Sequence, residues 1–288
     1  MCRESRSLVA SDLLERKPAH ADHRISYGQH PLQFGDLRLP SSAAGSRVPV
    51  VVFIHGGWWK AAYTLEYGGH LCGALRSVGV ATWSLEYRRV GDEGGGYPGT
   101  FQDVAAGFDF LLDLSKSFAL DLDRVVVVGH SAGGMLAFWL AGRARTSPLS
   151  LLYRPLHATP IRAVVSLAGA LDLRLTIDLA GEEGFAHIRD EVVNLMGGTP
   201  EQIPERYLAA NPGELLPLGV PQILIQGSAD DQIPRELPLL WAERVRRYED
   251  DDVSVDLILD ADHLDIVDPL SEVWPRVQAA IVQATLLR

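Results

Sequence analysis

The chain has 288 residues, 47% of them hydrophobic, and 26 Lys plus Arg against 37 Asp plus Glu give a formal net charge of −11 at pH 7. That balance repels nucleic acid and anionic membranes, which excludes both as expected partners and leaves a neutral or cationic small molecule. Length alone permits two domains, but α/β folds often run this long as one, and no repeat or low-complexity linker interrupts the sequence, so a single domain over 1–288 is expected.

Residues 1–20 carry charges throughout and lack the apolar run of a signal peptide, so they read as a mobile tail or short surface helix. Only Cys2 and Cys72 occur. No disulfide framework follows, and with no membrane-length apolar stretch a cytoplasmic location is expected. From His23, HRISYG and PLQFGDLRLP alternate apolar and polar residues around turn formers, as two antiparallel edge strands would. Val48 to Ile54 is a buried strand that runs straight into His55-Gly56-Gly57-Trp58-Trp59. Two glycines past a central strand let the backbone turn amide groups into a cleft, which is how half of an oxyanion hole is built. A helix over 64–77 and a strand over 80–87 follow. The glycines of 91–99 lack the order of a phosphate cradle, and the segment reads as a flexible surface loop. Apolar residues at Val104, Ala105, Phe108, Leu111 and Leu112 have the helical period.

The centre of the chain is Arg124 to Gly134, RVVVVGHSAGG. Four valines suggest a strand buried on both faces, and Met135 to Ala141 continues as an apolar helix. Between them, Gly129-His130-Ser131-Ala132-Gly133 has the G-x-S-x-G spacing in the strand, turn and helix context that this motif requires. A serine on so tight a turn tolerates no bulk two residues to either side, which accounts for Gly129 and Gly133. The helix N-terminus points at the same place, and the Ala132 N–H becomes a donor to a developing oxyanion. A strand over 161–167 continues the alternation of an α/β sheet. Alternation lapses over about 169–216, where prolines and glycines suggest two or three short helices forming a small cap. A strand over 220–225, a helix over 236–248, a strand over 253–259 and a helix over 270–287 complete the chain. The acidic run Glu249 to Asp252 reads as a solvated turn, and no metal site is expected.

A serine needs a base, and the base needs an acid to orient it. Past the serine, two strands end in suitable residues: Asp230 and Asp231 after PQILIQG, and His263 after VDLILDA. Asp230 is preferred because it sits at the first turn out of its strand, whereas Asp231 more easily faces solvent or caps the next helix. Asp262 and Asp265 flank His263, but adjacent side chains point apart. His55 and His130 are expected to shape their loops, and His157 and His187 to lie at the surface. Trp58, Trp59, Tyr63, Tyr67 and Tyr97 could line an aromatic substrate pocket or serve as core.

With these residues in view, the chain resembles the α/β-hydrolases over nearly its whole length, closest to the kynurenine formamidase (arylformamidase) and hormone-sensitive-lipase-like esterase branch. His55-Gly56-Gly57-Trp58-Trp59 is similar to the H-G-G-x-W motif of the formamidases, and Asp262-His263-Leu264-Asp265-Ile266 to their D-H-F-D-I segment. Glu86-Tyr87-Arg88, Pro98 and Asp103 match a block shared with the esterases. Trp58 replaces the third glycine of H-G-G-G esterases, and Leu264 the formamidase phenylalanine. The resemblance implies a mostly parallel sheet with a small helical cap, and oxyanion donors at Gly57, Trp58 and Ala132. It further implies a Ser131-His263-Asp230 hydrolase of small esters or aryl-formamides that needs no cofactor or metal. The expected partner is thus a small-molecule ester or amide, and a homodimer is compatible with it. The alternatives are an acyltransferase on the same triad and a non-catalytic ligand-binding protein of this fold.

Overall fold

The valine run explains the layering. In the computed structural model, which describes residues 13, 15–41, 46–155, 159–181, 185, 187–249 and 251–287, successive valines face opposite sides of the sheet. Val125 and Val127 enter one hydrophobic core, while Val126 and Val128 enter the other. A strand alternates its side chains by construction, so a continuous apolar run is what a strand covered on both faces needs.

Eight strands form the sheet: β1 (His23–Ser26), β2 (Phe34–Arg38), β3 (Val48–Ile54), β4 (Ala81–Leu85), β5 (Leu120–His130), β6 (Ala163–Leu167), β7 (Gln222–Gly227) and β8 (Val253–Ile258), in the order β1-β2-β4-β3-β5-β6-β7-β8. The pairings β1 with β2 and β2 with β4 are antiparallel, and all others are parallel. Helices α1 (Gly69–Ser77) and α9 (Trp274–Ala284) cover the face of Val126 and Val128 through Leu71, Leu75, Val277 and Ile281. The other face receives α2 (Gly99–Asp109), which is followed by the short α3 (Leu111–Leu114). Also on that face lie α4 (Ala132–Gly142) and α8 (Leu237–Val245), contributing Phe138 and Trp241 in edge-to-face contact at 5.6 Å. Among the described residues no helix is long and apolar enough to cross a membrane.

Helix α4 is buried from Ala132 to Leu140. A helix apolar all round needs cover on every side. The segment over 169–216 helps supply it as three short helices, α5 (Leu173–Leu179), α6 (His187–Met196) and α7 (Pro204–Ala210), with the Trp139 indole N–H donating to the Ala209 carbonyl at 3.1 Å. Several details depart from expectation. The last helix starts at Trp274 because Asp268 and Ser271 hold the residues before it in turns. The glycine-rich segment is pinned, the Tyr97 N–H donating to the Leu195 carbonyl at 2.8 Å and the Gly96 N–H to Thr100 Oγ1 at 3.0 Å. Asp251 is more than a solvated acid, since it accepts from the Leu218 and Gly219 amides at 2.8 and 2.7 Å and so holds the approach to β7. Near the N-terminus Leu13 is buried, and the Arg16 carbonyl meets His70 Nε2 at 3.1 Å, while residues 1–12 lie outside the described residues.

Register brings the loops together. Ile54 pairs with Gly129 and Leu167 with His130, so β3, β5 and β6 end level with one another at their C-terminal edge. A Cβ on Gly133 would lie 2.2 Å from the Ile54 carbonyl oxygen, and one on Gly129 would lie 2.1 Å from the Gly133 oxygen. Both obstacles are backbone and cannot swing aside. Gly133→Ala is expected to destabilise the fold by about 1–3 kcal/mol through overpacking, read as a lower urea midpoint at unchanged slope. A midpoint equal to the parent's would show that β3 and the turn are not in this contact.

Candidate active site

Ser131 occupies the residue before α4 with φ 54° and ψ −124°. A serine in that position ordinarily caps the helix by accepting from one of its first amides. Here the left-handed backbone turns the side chain away, and no such capping bond forms. Its hydroxyl makes no hydrogen bond among the described residues, although the residue is 3% exposed. The Ala132 N–H, one of the unpaired donors that every helix start presents, likewise bonds no acceptor among them. A strained backbone, an uncommitted hydroxyl and a free amide beside it fit the chemistry of a nucleophile.

The loop after β3 lies directly against this turn. A Cβ on Gly56 would stand 2.8 Å from Ser131 Cβ and 2.7 Å from the His130 carbonyl oxygen. Gly57, Trp58 and Trp59 follow with φ of 100°, 52° and 56°, a left-handed run closed by the Lys60 N–H donating to the Gly57 carbonyl at 3.0 Å. The Gly57 and Trp58 N–H groups find no acceptor among the described residues. His55 braces the loop from behind. Its Nε2 meets Glu86 Oε1 at 3.0 Å, its Nδ1 meets the Gly56 carbonyl at 2.9 Å, and its ring stacks on Tyr87 at 4.4 Å. Burial acts to raise the Glu86 carboxyl, but His55 and Arg89 outweigh it and hold this acid below its ordinary value.

His263 and Asp230 meet. The imidazole Nδ1 lies 2.8 Å from Asp230 Oδ2, the same oxygen accepts from Gln226 Nε2 at 2.7 Å, and Oδ1 accepts from the Gln232 and Ile233 amides at 2.8 and 2.9 Å. Burial works against the Asp230 charge, yet His263 and these amides prevail and lower its pKa. Asp231 is exposed and bonds Gln232 instead. Asp262 caps the amides of Leu264 and Asp265 and so shapes the loop rather than the ring. His263 Nε2 bonds no partner among the described residues, and neither does the Ser131 hydroxyl. His130, the residue before Ser131, has its ring centroid 4.7 Å from that of His263, and its Nε2 lies 3.1 Å from the His263 carbonyl oxygen.

The aromatic residues divide. Trp59 has no exposed surface and spends its indole N–H on the Ala132 carbonyl at 3.0 Å, so the expectation that it contacts substrate is corrected: it is a core prop behind the turn. Tyr63 is 38% exposed and its ring lies against Gly57, at the surface of the loop after β3. Tyr97 is half-buried against Phe101. His187, at the start of α6, is exposed as expected but packs edge-on to Trp58 at 5.7 Å, and Glu191 pairs with Lys60 one helical turn on, which docks α6 on the loop after β3. His157 lies outside the described residues. Sequence reading missed Gln226 as a holder of Asp230; its signal is a buried glutamine directly after the apolar run Ile223-Leu224-Ile225. The Arg88 and Asp103 of the shared block form a two-bond clamp at 2.8 and 2.7 Å that anchors α2.

The family model BD-FAE matches residues 36–243. The chain belongs to the BD-FAE family. Consistent with this α/β-hydrolase membership, it is 29% identical over 217 residues to the isoprenylcysteine alpha-carbonyl methylesterase ICME of Arabidopsis thaliana, covering 73% of this chain and 49% of that protein. It is 28% identical to the esterase LipC of Mycobacterium tuberculosis (83% and 58% covered), and 34% identical over 161 residues to the kynurenine formamidase avaC of Aspergillus versicolor (51% and 52% covered). The chain spans about half the length of the curated relatives it matches. Its fold is that of esterase B from Lactobacillus Rhamnosis, with a TM-score of 0.79 at 20% identity over 96% of this chain and 89% of that one.

Burial and the neighbouring His263 drive the His130 pKa from 6.5 down to about 3, so this imidazole is neutral in the folded chain. As pH falls, the unfolded chain binds a proton at this position first. The contribution to stability is therefore complete above pH 6.5 and is lost as pH drops toward 3. Urea unfolding between pH 7 and 4 is expected to show a loss of up to about 1.4 kcal/mol per pH unit from this group, and His130→Gln should have a shallower dependence. Equal slopes in the two proteins would rule out a buried neutral histidine here.

Proposed function

We propose that this chain is a serine hydrolase of the carboxylesterase type, with Ser131 as nucleophile, His263 as general base and Asp230 as the acid that orients it. The observation that carries the reading is the uncapped Ser131 at φ 54°, facing a loop whose Gly57 and Trp58 amides have no acceptor among the described residues. A serine held in a strained backbone and denied its usual cap costs stability, and strain of this kind clusters at functional sites. The names of the relatives in Arabidopsis and Mycobacterium, both esterases, support the same class.

The chemistry follows in two halves. His263 Nε2 takes the hydroxyl proton as Ser131 Oγ attacks the ester carbonyl, and negative charge on the carbonyl oxygen is met by the amides of Gly57, Trp58 and Ala132. The imidazolium, neutralised across its Nδ1 bond by Asp230, then gives that proton to the leaving alcohol as the acyl-oxygen bond breaks. Water repeats the sequence on the acyl-serine and releases the acid. Apo contacts of this kind are often loose and close on substrate, so an Nε2 and a hydroxyl that are each without a partner among the described residues suit the role. A second reading, hydrolysis of an aryl-formamide with an arylamine leaving, is favoured by the similarity to the kynurenine formamidase and by the tryptophan of the His55-to-Trp59 loop.

Ser131→Ala is expected to lower kcat/KM for a short p-nitrophenyl ester by roughly four to six orders of magnitude, to abolish labelling by a fluorophosphonate probe, and to unfold at the parent's temperature. Labelling that survives the substitution removes Ser131 from the reaction. Rates on N-formylkynurenine and on the ester, measured side by side, separate the two substrate classes, and added acceptor alcohols reveal transfer in place of hydrolysis.

A further inference from the structure

A buried chain of hydrogen bonds joins the oxyanion loop to the loop that carries the imidazole. The Gly56 N–H donates to the Tyr67 hydroxyl, Tyr67 Oη lies 2.9 Å from His130 Nδ1, and His130 Nε2 lies 3.1 Å from the His263 carbonyl oxygen. From these contacts we propose that Tyr67 and His130 are positioning residues that set the His263 imidazole against the oxyanion loop, an inference that rests on the serine-hydrolase reading above.

The direction of the chain is settled by its ends. A carbonyl oxygen only accepts, so His130 Nε2 carries the hydrogen. The ring is neutral and has just that one N–H, which makes Nδ1 the acceptor and the Tyr67 hydroxyl its donor. Tyr67 then receives the Gly56 amide on a lone pair. Neither end can exchange its role, so the order Gly56, Tyr67, His130, His263 runs one way. Burial keeps the phenol protonated by raising its pKa. Both residues are buried, at 7% and 2% exposure, and each ring packs edge-on to the other at 5.6 Å.

This arrangement has a specific use in catalysis. The amides of Gly57 and Trp58 follow Gly56 directly, so the chain holds the groups that meet the oxyanion and the group that carries the proton on one scaffold. His263 gains positive charge beside the His130 ring during turnover. A His130 that stays neutral, with its single N–H spent on the carbonyl, adds no opposing cation at that moment. Tyr67→Phe deletes the middle link while keeping the ring. The Gly56 amide and His130 Nδ1 are then left without partners, and the His130 ring is held only by its Nε2 bond to the His263 carbonyl. A displacement on the order of 1 Å in such a site costs about a hundredfold in rate.

The test compares Tyr67→Phe, His130→Leu and His130→Gln with the parent on a short p-nitrophenyl ester, with urea unfolding and fluorophosphonate labelling in parallel. For Tyr67→Phe, kcat is expected to fall about 10- to 100-fold with KM within about twofold. His130→Gln, which has an amide donor and a carbonyl acceptor to offer the same partners, is expected to recover most of the kcat that His130→Leu loses. A Tyr67→Phe protein with parental kcat, or with only KM raised, overturns the proposal. So do Gln and Leu variants that are equally impaired, and this pair decides the matter if Tyr67→Phe does not fold. Parent protein unlabelled at Ser131 overturns the serine-hydrolase reading and this one together. Labelling of parent and Tyr67→Phe at one rate overturns this one alone.

Discussion

The contact on which the rest depends is the approach of two backbones at the C-terminal ends of β3 and β5. Pairing of Ile54 with Gly129 sets the ends level. Absent Cβ atoms at Gly56, Gly129 and Gly133 then let the loop and the turn close to distances that side chains would forbid. Because a parallel sheet collects its loops at one edge, a single close pairing there decides where several distant segments can meet. Ser131 is held in a left-handed conformation by this squeeze, and Trp59, wedged behind it with its indole on the Ala132 carbonyl, keeps the helix start from relaxing.

Around that contact, buried polar groups are arranged as supports. His55 and Glu86 hold the loop after β3, Gln226 and two amides hold Asp230, and Arg88 with Asp103 holds α2. Each buried polar group is costly without a partner, and each pairing made here restricts a loop that would otherwise sample several positions. The electrostatics are graded in a useful way. Asp230 and Glu86 are kept ionised against the cost of burial, while His130, in the same neighbourhood, is kept neutral. The imidazole that lies next to His130 is thus flanked by an anion on one side and by an uncharged ring on the other.

The cap is tied to this machinery rather than merely laid over it. Trp58 meets His187, Lys60 meets Glu191, and the Tyr97 amide meets the Leu195 carbonyl, so α6 touches both the loop after β3 and the glycine-rich segment. The contacts of that helix fall on Trp58 itself and on Lys60, two residues on. The glycine-rich segment, which has the composition of a free loop, is ordered by these contacts and by Thr100.

Much of this was legible in the residues themselves. A valine run means a strand covered twice, G-x-S-x-G between strand and helix means a serine on a sharp turn, and the succession Ser131, Asp230, His263 places each group at the end of a different strand. These are local or periodic signals, and the backbone obeys them with little help from distant parts of the chain. What only the folded molecule decided is which neighbours each group has. Asp230 rather than Asp231 faces the imidazole because Gln226 and the Gln232 and Ile233 amides hold its carboxylate there, Trp59 is core rather than pocket because it is fully buried against the start of α4, and Tyr67, His130 and Gln226 become partners of the site through contacts spanning 4 to 133 positions in sequence. Composition and spacing record a residue's type and its period. Partnership at hydrogen-bond distance depends on sheet order, register and loop path together, and those exist only in three dimensions.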